Sequence, residues 1–330
     1  MRFKNLFLVL TFLFLFVQGT FAQSAGHFIA NVINAAGSAN DRTVIYDKLA
    51  IISYEDHKRA NNMWVQTKYE NFNLEDDENS KGSFDDNIGG LSFGYGKEIF
   101  KNAALGFFGK YNSHSISQEK SGASVNSYGL GAYGSYLYDD FDFKGILSFS
   151  GLQYSTSRDA GANNKAKTDF NGYAVNADIE AAMWLEMLSE INLRPYMGVN
   201  IAYMGYGSSN EIGAGSAGLK TDGGNFSKSA MRIGAGLNGK YEKFGWYGGL
   251  EMEYILSGKF TEIESSIGGA NVKVKSKGAE SGSVLIGINA GGDYDISSQM
   301  KAYINLNYKV SGALSDFGAS AGIAFVFDSF

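Results

Sequence analysis

Three histidines are the side chains best suited to acid–base chemistry in this 330-residue chain: His27, His57 and His114. A hydrolase needs a nucleophile, a base and a group that orients the base. Only His114 has hydroxyls beside it, on Ser113 and Ser115, and in a strand both would project from the opposite face. Cysteine is absent, so disulfides and thiolate metal sites are excluded. We therefore expect no catalytic residues, no cofactor and no metal site.

Charge argues against one class of partner. The chain has 34 acidic and 28 basic residues, and two of the basic ones, Arg2 and Lys4, lie in the leader described next. An acidic surface disfavours nucleic acid, because phosphate binding requires a basic face. The acidic run Glu75-Asp76-Asp77-Glu78 lacks the spacing of a calcium loop, which favours solvated charge over a cation site.

The N-terminus has the features of an export signal. Arg2 and Lys4 precede the apolar run 6–17, which is shorter than the roughly 20 residues of a membrane-spanning helix. Thr20-Phe-Ala22 then places small residues at the usual recognition positions, so we predict a signal peptide at 1–22 with cleavage between Ala22 and Gln23.

From residue 61 onward, apolar side chains recur at every second position, as in strands with two different faces. The pattern predicts twelve strands, an even number as in bacterial membrane barrels. They are expected near 61–72, 85–98, 102–116, 123–138, 140–155, 167–183, 193–206, 226–240, 244–258, 279–294, 298–311 and 316–327, with Pro195 at the start of its strand.

The connections alternate in length, which distinguishes a membrane barrel from a soluble sandwich. Long loops are expected at 73–84, 156–166, 207–225 and 259–278, and short turns near 139–140, 242–243 and 295–297. Long loops outside and short turns inside are typical of transmembrane barrels with both termini in the periplasm. The fold class is therefore all-β: an antiparallel up-and-down barrel formed by 61–330.

The two faces of each strand can be assigned. The lipid-facing rows are apolar: Leu91, Phe93, Tyr95; Leu105, Phe107, Tyr111; Phe141, Phe143, Leu147, Phe149; Met197, Val199, Ile201, Tyr203; Ala302, Ile304, Leu306, Tyr308. A charge on the lipid face costs about 2–4 kcal/mol at the midplane. We therefore assign the charged side chains to the lumen, as a mixed network: Lys110, Asp142, Lys144, Asp178, Glu180, Arg232, Glu251, Glu253 and Lys301.

Residues 23–60 do not alternate. Ile45, Leu49 and Ile52 recur at helical spacing, which predicts a charged helix over 41–59. Its length of ~27 Å, at 1.5 Å per residue, is comparable with the ~25 Å apolar band of a barrel. We expect it to plug the lumen.

At this point the chain resembles the C-terminal translocator (β-domain) of autotransporters, the type V secretion family. The resemblance rests on a helix leading into Asn62-Met-Trp-Val-Gln66, twelve strands, Leu193-Arg-Pro-Tyr196 and an aromatic C-terminus. It implies an outer membrane of a Gram-negative bacterium, lipids and lipopolysaccharide as surroundings, and folding by periplasmic chaperones and the barrel assembly machinery. It also implies a linker helix in the pore and an exported passenger, although only about 23–59 separates the signal from the barrel.

The resemblance also implies a C-terminal assembly signal. Family members end in Phe with an apolar residue two positions earlier, but here Asp328 precedes Phe330 at that spacing. Shifting the frame by three restores the pattern, so we predict Phe325 and Phe327 as the recognised side chains.

Other functions remain open from the sequence alone. A small passive pore would conduct if the helix does not fill it, because twelve strands lie between the filled barrel of eight and the open channels of 16–18. An adhesin-like protein would bind ligands through its long loops. An outer-membrane lipid hydrolase is disfavoured by the histidine positions. We expect a monomer.

Overall fold

The computed structural model describes residues 25–36, 45, 62–75, 83–100, 102–160, 164–188, 190–215, 218–267, 273–280, 282–312 and 314–327. Residues 25–36 form a helix, α1. The strands are β1 (Asn62–Leu74), β2 (Phe84–Phe100), β3 (Ala103–Gln118), β4 (Ser121–Tyr138), β5 (Phe141–Asp159), β6 (Lys165–Met183), β7 (Leu185–Leu188), β8 (Ile191–Tyr206), β9 (Ser209–Asn210), β10 (Leu219–Thr221), β11 (Gly224–Tyr241), β12 (Phe244–Ser257), β13 (Glu262–Ile267), β14 (Lys273–Lys277), β15 (Val284–Ser297), β16 (Met300–Ser311) and β17 (Leu314–Val326). Within these ranges no helix is both long and apolar enough to cross a bilayer.

Twelve long strands close into one barrel: β1–β6, β8, β11, β12, β15, β16 and β17. Each pairs antiparallel with its neighbours, and the last strand returns to the first, from Asn62↔Val326 to Leu74↔Leu314. The pairing of β8 with β11 closes the gap left by the intervening short strands. The predicted twelve-stranded antiparallel barrel is confirmed, with strand ends within a few residues of those expected.

The barrel wall is apolar outside and polar or packed inside. On β5, Phe141 and Phe143 are exposed whereas Asp142 and Lys144 between them are buried. The large side chains of all five predicted lipid-facing rows are exposed. This alternation places an apolar surface where a bilayer would contact the protein.

The two ends of the barrel differ. At one, here called the turn end, strands are joined by short turns such as 139–140 and 242–243, and Asp139 and Glu242 there have φ of 50° and 51°. At the other, the loop end, the connections include 207–223 and 258–283. The predicted long connections lie at this end, although β3–β4 and β16–β17 are joined there by only two residues each.

The long loops are more ordered than predicted. The two regions read as loops, 207–225 and 259–278, contain β9, β10, β13 and β14, which form a four-stranded sheet in the order β14-β13-β10-β9. We call it the loop sheet. Its strands have two to six residues, too short for their periodicity to be recognised. The strand expected to begin at 279 begins at Val284.

Pro195 lies inside β8 rather than at its start. On one side, the pairing of β8 with β7 ends at Leu193↔Leu185, and its pairing with β6 ends at Tyr196↔Ala182. Proline has no N–H to donate, and Pro195 falls in the break between those two ladders.

Glycines admit aromatic rings on the inner wall. A Cβ on Gly106 would lie 2.2 Å from the Tyr133 ring, and one on Gly94 would lie 2.6 Å from the Trp64 ring. The two rings meet where Trp64 Nε1 donates a hydrogen bond to the Tyr133 hydroxyl at 3.2 Å. A side chain at either glycine would displace this contact.

Candidate functional site: the lumen and its N-terminal helix

The helix α1 fills the loop end of the lumen. Phe28, Ile29, Val32 and Ile33 are all at most 3% exposed. A helix that is apolar on nearly all sides is expected to be buried. It packs against Ile263 of the loop sheet and against side chains from strands around the barrel: Leu74, Phe84, Ile116, Val125, Leu152, Tyr154, Phe170, Met204, Tyr206, Ile255, Leu285 and Leu314. The loop end is therefore a packed core.

The described residues of the N-terminal segment, 25–36 and 45, lie successively farther from the loop end of the lumen. Ala25 packs beneath the loop sheet against Leu219 and Ile267. Ala36, at the other end of α1, borders a small cavity halfway along the barrel, lined by serine and asparagine side chains and Lys110. Twelve residues of helix span ~18 Å, which fits this descent.

Ile45 marks the next level. It is helical, fully buried, and packed with Trp64, Tyr303 and Ala324 near the turn end. Of the predicted plug helix 41–59, the other residues lie outside the described part of the chain. The position of Ile45 is the one direct observation on that prediction.

A polar stripe on α1 faces one stretch of backbone. His27, Asn31 and Asn34 are spaced i, i+4 and i+7, so they share one helix face. His27 Nδ1 bonds to the Lys277 carbonyl. The Ala279 N–H donates to Asn31 Oδ1 at 2.6 Å, and Asn34 Nδ2 donates to the Ala279 carbonyl at 3.2 Å. Three side chains of the helix therefore satisfy the backbone of residues 277–279.

The packing around this stripe is close. A Cβ on Gly26 would lie 2.2 Å from Ser276 Oγ, and one on Gly278 would lie 3.2 Å from the Ala30 carbonyl. Asn31 Nδ2 also donates to Gln118 Oε1 at 3.0 Å. The helix is thus held both by the loop sheet and by the barrel rim.

A buried ion pair fastens the loop sheet to the wall. Arg158 Nε and Nη2 donate to the two oxygens of Glu211 at 2.8 and 2.5 Å. The same carboxylate accepts the Leu219 N–H at 2.8 Å. Both charged residues are under 10% exposed, so this bidentate pair ties the β9–β10 region to the β5–β6 hairpin.

The outer face of the loop sheet carries exposed ion pairs. Lys273 Nζ lies 3.0 Å from Asp222, and this hydrogen bond, with the charges of Asp222 and Glu264, raises the pKa of Lys273. Lys275 donates to Glu262 at 3.1 Å, which raises the pKa of Lys275 in the same way. Exposed pairs of this kind contribute little to stability.

Towards the turn end the lumen wall is charged. Lys144 Nζ lies 3.1 Å from Asp142, and Arg194 Nη2 lies 3.1 Å from the same Asp142 oxygen and 2.6 Å from Glu180. Arg194 also stacks near the Trp184 ring, 5.5 Å from its centroid. Cations and carboxylates therefore alternate across β5, β6 and β8.

The same network continues to β11, β12 and β16. Arg232 makes two bonds of 2.6 Å to Asp178 and one of 3.3 Å to Glu180. Lys309 then lies 3.4 Å from Glu251 and 3.0 Å from Glu253, while Arg232 Nε is 3.9 Å from Glu251. The opposite signs are matched within the wall, which is the arrangement of a structural network.

The structure brings together seven of the nine side chains assigned to the lumen from the sequence. Lys301 pairs separately, with Asp293 at 2.9 Å and Asp295 at 3.5 Å. Lys110 is half-buried beside the cavity under Ala36. The connected ones are Asp142, Lys144, Asp178, Glu180, Arg232, Glu251 and Glu253.

His114 is buried inside the barrel wall. Its Nδ1 lies 2.8 Å from Asp86 Oδ2, and both residues are 1% exposed. Ser113 and Ser115 lie on the opposite face of β3, as the alternation of a strand requires. Among the described residues, no group of three or more metal-binding side chains is present.

The sequence reasoning missed the contacts that hold α1. His27, Asn31 and Asn34 are the only polar side chains in the run 25–36, and their spacing was visible. Arg158 and Glu211 were missed because they fall in two predicted loops, 156–166 and 207–225, that were treated as irregular.

The predicted assembly signal lies at the turn end. Phe325 and Phe327 are 43% and 39% exposed at the end of β17. Phe330 and the predicted cleavage residues Ala22 and Gln23 are outside the described ranges.

A closed twelve-stranded barrel with an apolar outer wall and a helix in its lumen defines a class, the outer-membrane β-barrel that carries its own chain inside. A family model described as the autotransporter beta-domain matches residues 63–324. The chain belongs to this family, and the family implies the outer membrane of Gram-negative bacteria.

Solved structures agree on the fold. The translocator domain of autotransporter NalP from Neisseria meningitidis has a TM-score of 0.70 at 14% identity, covering 89% of this chain and 99% of that one. The beta domain of the Bordetella autotransporter BrkA gives 0.61 at 14%, covering 81% and 100%. The transport unit of AIDA-I from Escherichia coli gives 0.57 at 13%, covering 89% and 99%. A sequence search of characterised proteins gave no significant match.

Proposed function

We propose that this protein is a translocator-type barrel that carries its own N-terminal segment across the outer membrane and retains α1 in the lumen. The observation that supports this most is the direction of the chain. Ala25 lies beneath the loop sheet, whereas β1 begins at Asn62 at the turn end. Long loops of such barrels face the cell exterior, so the Ala25 end of α1 lies on the exterior side of the lumen.

The burial of its apolar side chains supports the proposal that α1 stays docked in the lumen. Four large apolar side chains, Phe28, Ile29, Val32 and Ile33, are at most 3% exposed. Each contributes about 1.5–3 kcal/mol on burial, so undocking the helix costs roughly 6–12 kcal/mol. Because 1.4 kcal/mol is a factor of ten in an equilibrium, the docked state dominates.

An epitope tag inserted directly before Ala25 tests the topology. We expect an antibody to reach this tag on intact cells. A tag in the turn 242–243 is the matched control for the periplasmic side and should be reached only after the outer membrane is permeabilised. An N-terminal tag that also requires permeabilisation would contradict the proposal.

A passive pore is less well supported, because the loop end is lined by apolar side chains packed on a helix. We expect no steady conductance from the full chain in a planar bilayer. Open channels of constant conductance would favour the pore instead.

We further propose that the barrel acts without catalysis, as a monomer among lipids and lipopolysaccharide. Phe325 and Phe327 would be read by the barrel assembly machinery after periplasmic chaperones deliver the chain. His114→Ala should leave lipid hydrolysis assays at background, as in the parent. Activity that depends on His114 would reverse this view.

A further inference from the structure

Apolar packing alone does not determine how far a helix enters the lumen or how it is rotated about its axis. The loop end of the lumen around α1 is lined by Leu, Ile, Val, Phe, Tyr and Met side chains, and such contacts are not directional. Hydrogen bonds are directional and are costly to leave unmade when buried. Asn31 and Asn34 are 1% and 5% exposed, so a slide or rotation of α1 would break their present hydrogen bonds inside a buried site.

The partner of these side chains is a short stretch of backbone. The carbonyl of Lys277 and both backbone groups of Ala279 are satisfied by α1. Ala279 is 3% exposed, so water does not reach its backbone groups while α1 is docked. Gly278, between them, lets the stretch approach the helix, because a Cβ at that position would meet the Ala30 carbonyl carbon and oxygen at 3.2 Å.

The loop sheet, which adjoins residues 277–279, is anchored to the barrel wall. The loop sheet is tied to β5 by the Arg158–Glu211 pair, and to β6 by two backbone bonds between Lys167 and Ile212. The site that meets α1 is therefore part of a braced surface at the mouth of the barrel.

We propose that residues 277–279 and the loop sheet form a helix-recognition site, which accepts an apolar helix with polar side chains at i, i+4 and i+7. The chain's own α1 occupies it in cis, and the contact is what stops the N-terminal segment at this register. This inference rests on the proposed function, since it describes how the outward passage of the segment ends. A slide of one residue along α1 moves all three polar side chains away from their partners.

Thiol protection in the full chain tests this, since the sequence has no cysteine. Val32→Cys places a thiol on a residue that is 0% exposed, and its rate of reaction with a maleimide reports the release of α1. Lys220→Cys on the exposed face of the loop sheet gives the unprotected rate. We expect Cys at 32 to react at least about a thousandfold more slowly, given its burial.

The hydrogen bonds between α1 and residues 277–279 are then removed by replacing one asparagine at a time. Asn31→Ala and Asn34→Ala, each in the Val32→Cys background, should accelerate the reaction at least about tenfold, since one buried hydrogen bond is worth about that factor. Asn126→Ala removes an amide that bonds the Tyr111 hydroxyl on the outer wall, and as the matched control it should leave the rate unchanged.

A second thiol separates local release from general unfolding. Ser92→Cys sits on the inner wall at 2% exposure, and its rate should not respond to the loss of Asn31 or Asn34. The inference is overturned if those substitutions leave the reaction rate of the thiol at 32 unchanged, or if both thiols accelerate equally. The tag experiment tests the topology independently. If the tag before Ala25 is reached on intact cells but the asparagine substitutions do not change the rate at residue 32, only this inference is rejected.

Discussion

Removing Arg232 should be the most damaging single change to the lumen wall. The guanidinium makes two bonds of 2.6 Å to Asp178 and is 3% exposed. In Arg232→Met, Glu180 keeps Arg194 at 2.6 Å and Glu251 keeps Lys309 at 3.4 Å. Asp178 loses its bidentate partner and retains a 3.3 Å bond from Asn200.

The magnitude follows from that imbalance. Breaking a buried pair from one side costs about 3–5 kcal/mol, because the remaining charge stays buried without compensation. Since the neighbouring carboxylates keep other cations, we expect about 3 kcal/mol for Arg232→Met. Adding Asp178→Asn removes the uncompensated charge, so the double variant should be more stable than the single one.

The assay is urea unfolding of the purified full chain in lipid vesicles, followed by tryptophan fluorescence. Lys275→Met removes a cation whose side chain is 71% exposed in its pair with Glu262, and as control it should unfold at nearly the urea concentration of the parent. The reasoning is refuted if Arg232→Met lies within about 1 kcal/mol of the parent, since lumen water would then be screening the network.

Three further changes probe the wall and the C-terminus. Gly106→Ala should lower stability by about 1–3 kcal/mol in the same unfolding assay through overpacking on an aromatic ring, whereas Gly89→Ala, with open space around it, should be neutral. Phe149→Arg places a charge on the lipid face and should cost about 2–4 kcal/mol in vesicle unfolding, a loss absent if this face were not in lipid. Deleting 328–330 should leave membrane insertion normal, judged by heat-modifiable migration on gels. The double substitution Phe325→Ala with Phe327→Ala should reduce insertion. The reverse result would assign the assembly signal to the last residue.

The barrel could be predicted from the sequence because its strands satisfy two environments at once. On β5, four lipid-facing side chains alternate with Asp142, Lys144 and Ser148, and burying charges in lipid is costly enough to fix the register. The same logic does not extend to β10 and β14, which have three and five residues. Their faces are decided by the helix they cover, which is distant in sequence.

The helix α1 was missed for a related reason. Its composition, Ala25 to Ala36 with three polar residues, resembles neither an amphipathic surface helix nor an alternating strand. Only its enclosure by twelve side chains of the barrel wall and by Ile263 of the loop sheet explains an apolar helix at this place in the chain. The lumen partners of Asn31 and Asn34 lie about 250 residues away, at 279, beyond any local pattern.

The two halves of the lumen differ in chemistry, and the N-terminal segment changes in the same order. The loop end is lined by apolar side chains and holds an apolar helix, whereas the wall towards the turn end carries the Asp142–Arg194–Glu180 network. In sequence, charged residues begin after α1, with Asp41, Arg42, Asp47, Lys48, Glu55, Asp56, Lys58 and Arg59. Because a buried charge is tolerated only beside a partner, the apolar helix α1 suits the loop end, where it lies, better than the charged wall towards the turn end. A segment threaded in the opposite sense would place its charges against Leu74, Phe84 and Met204, which offer them no partner.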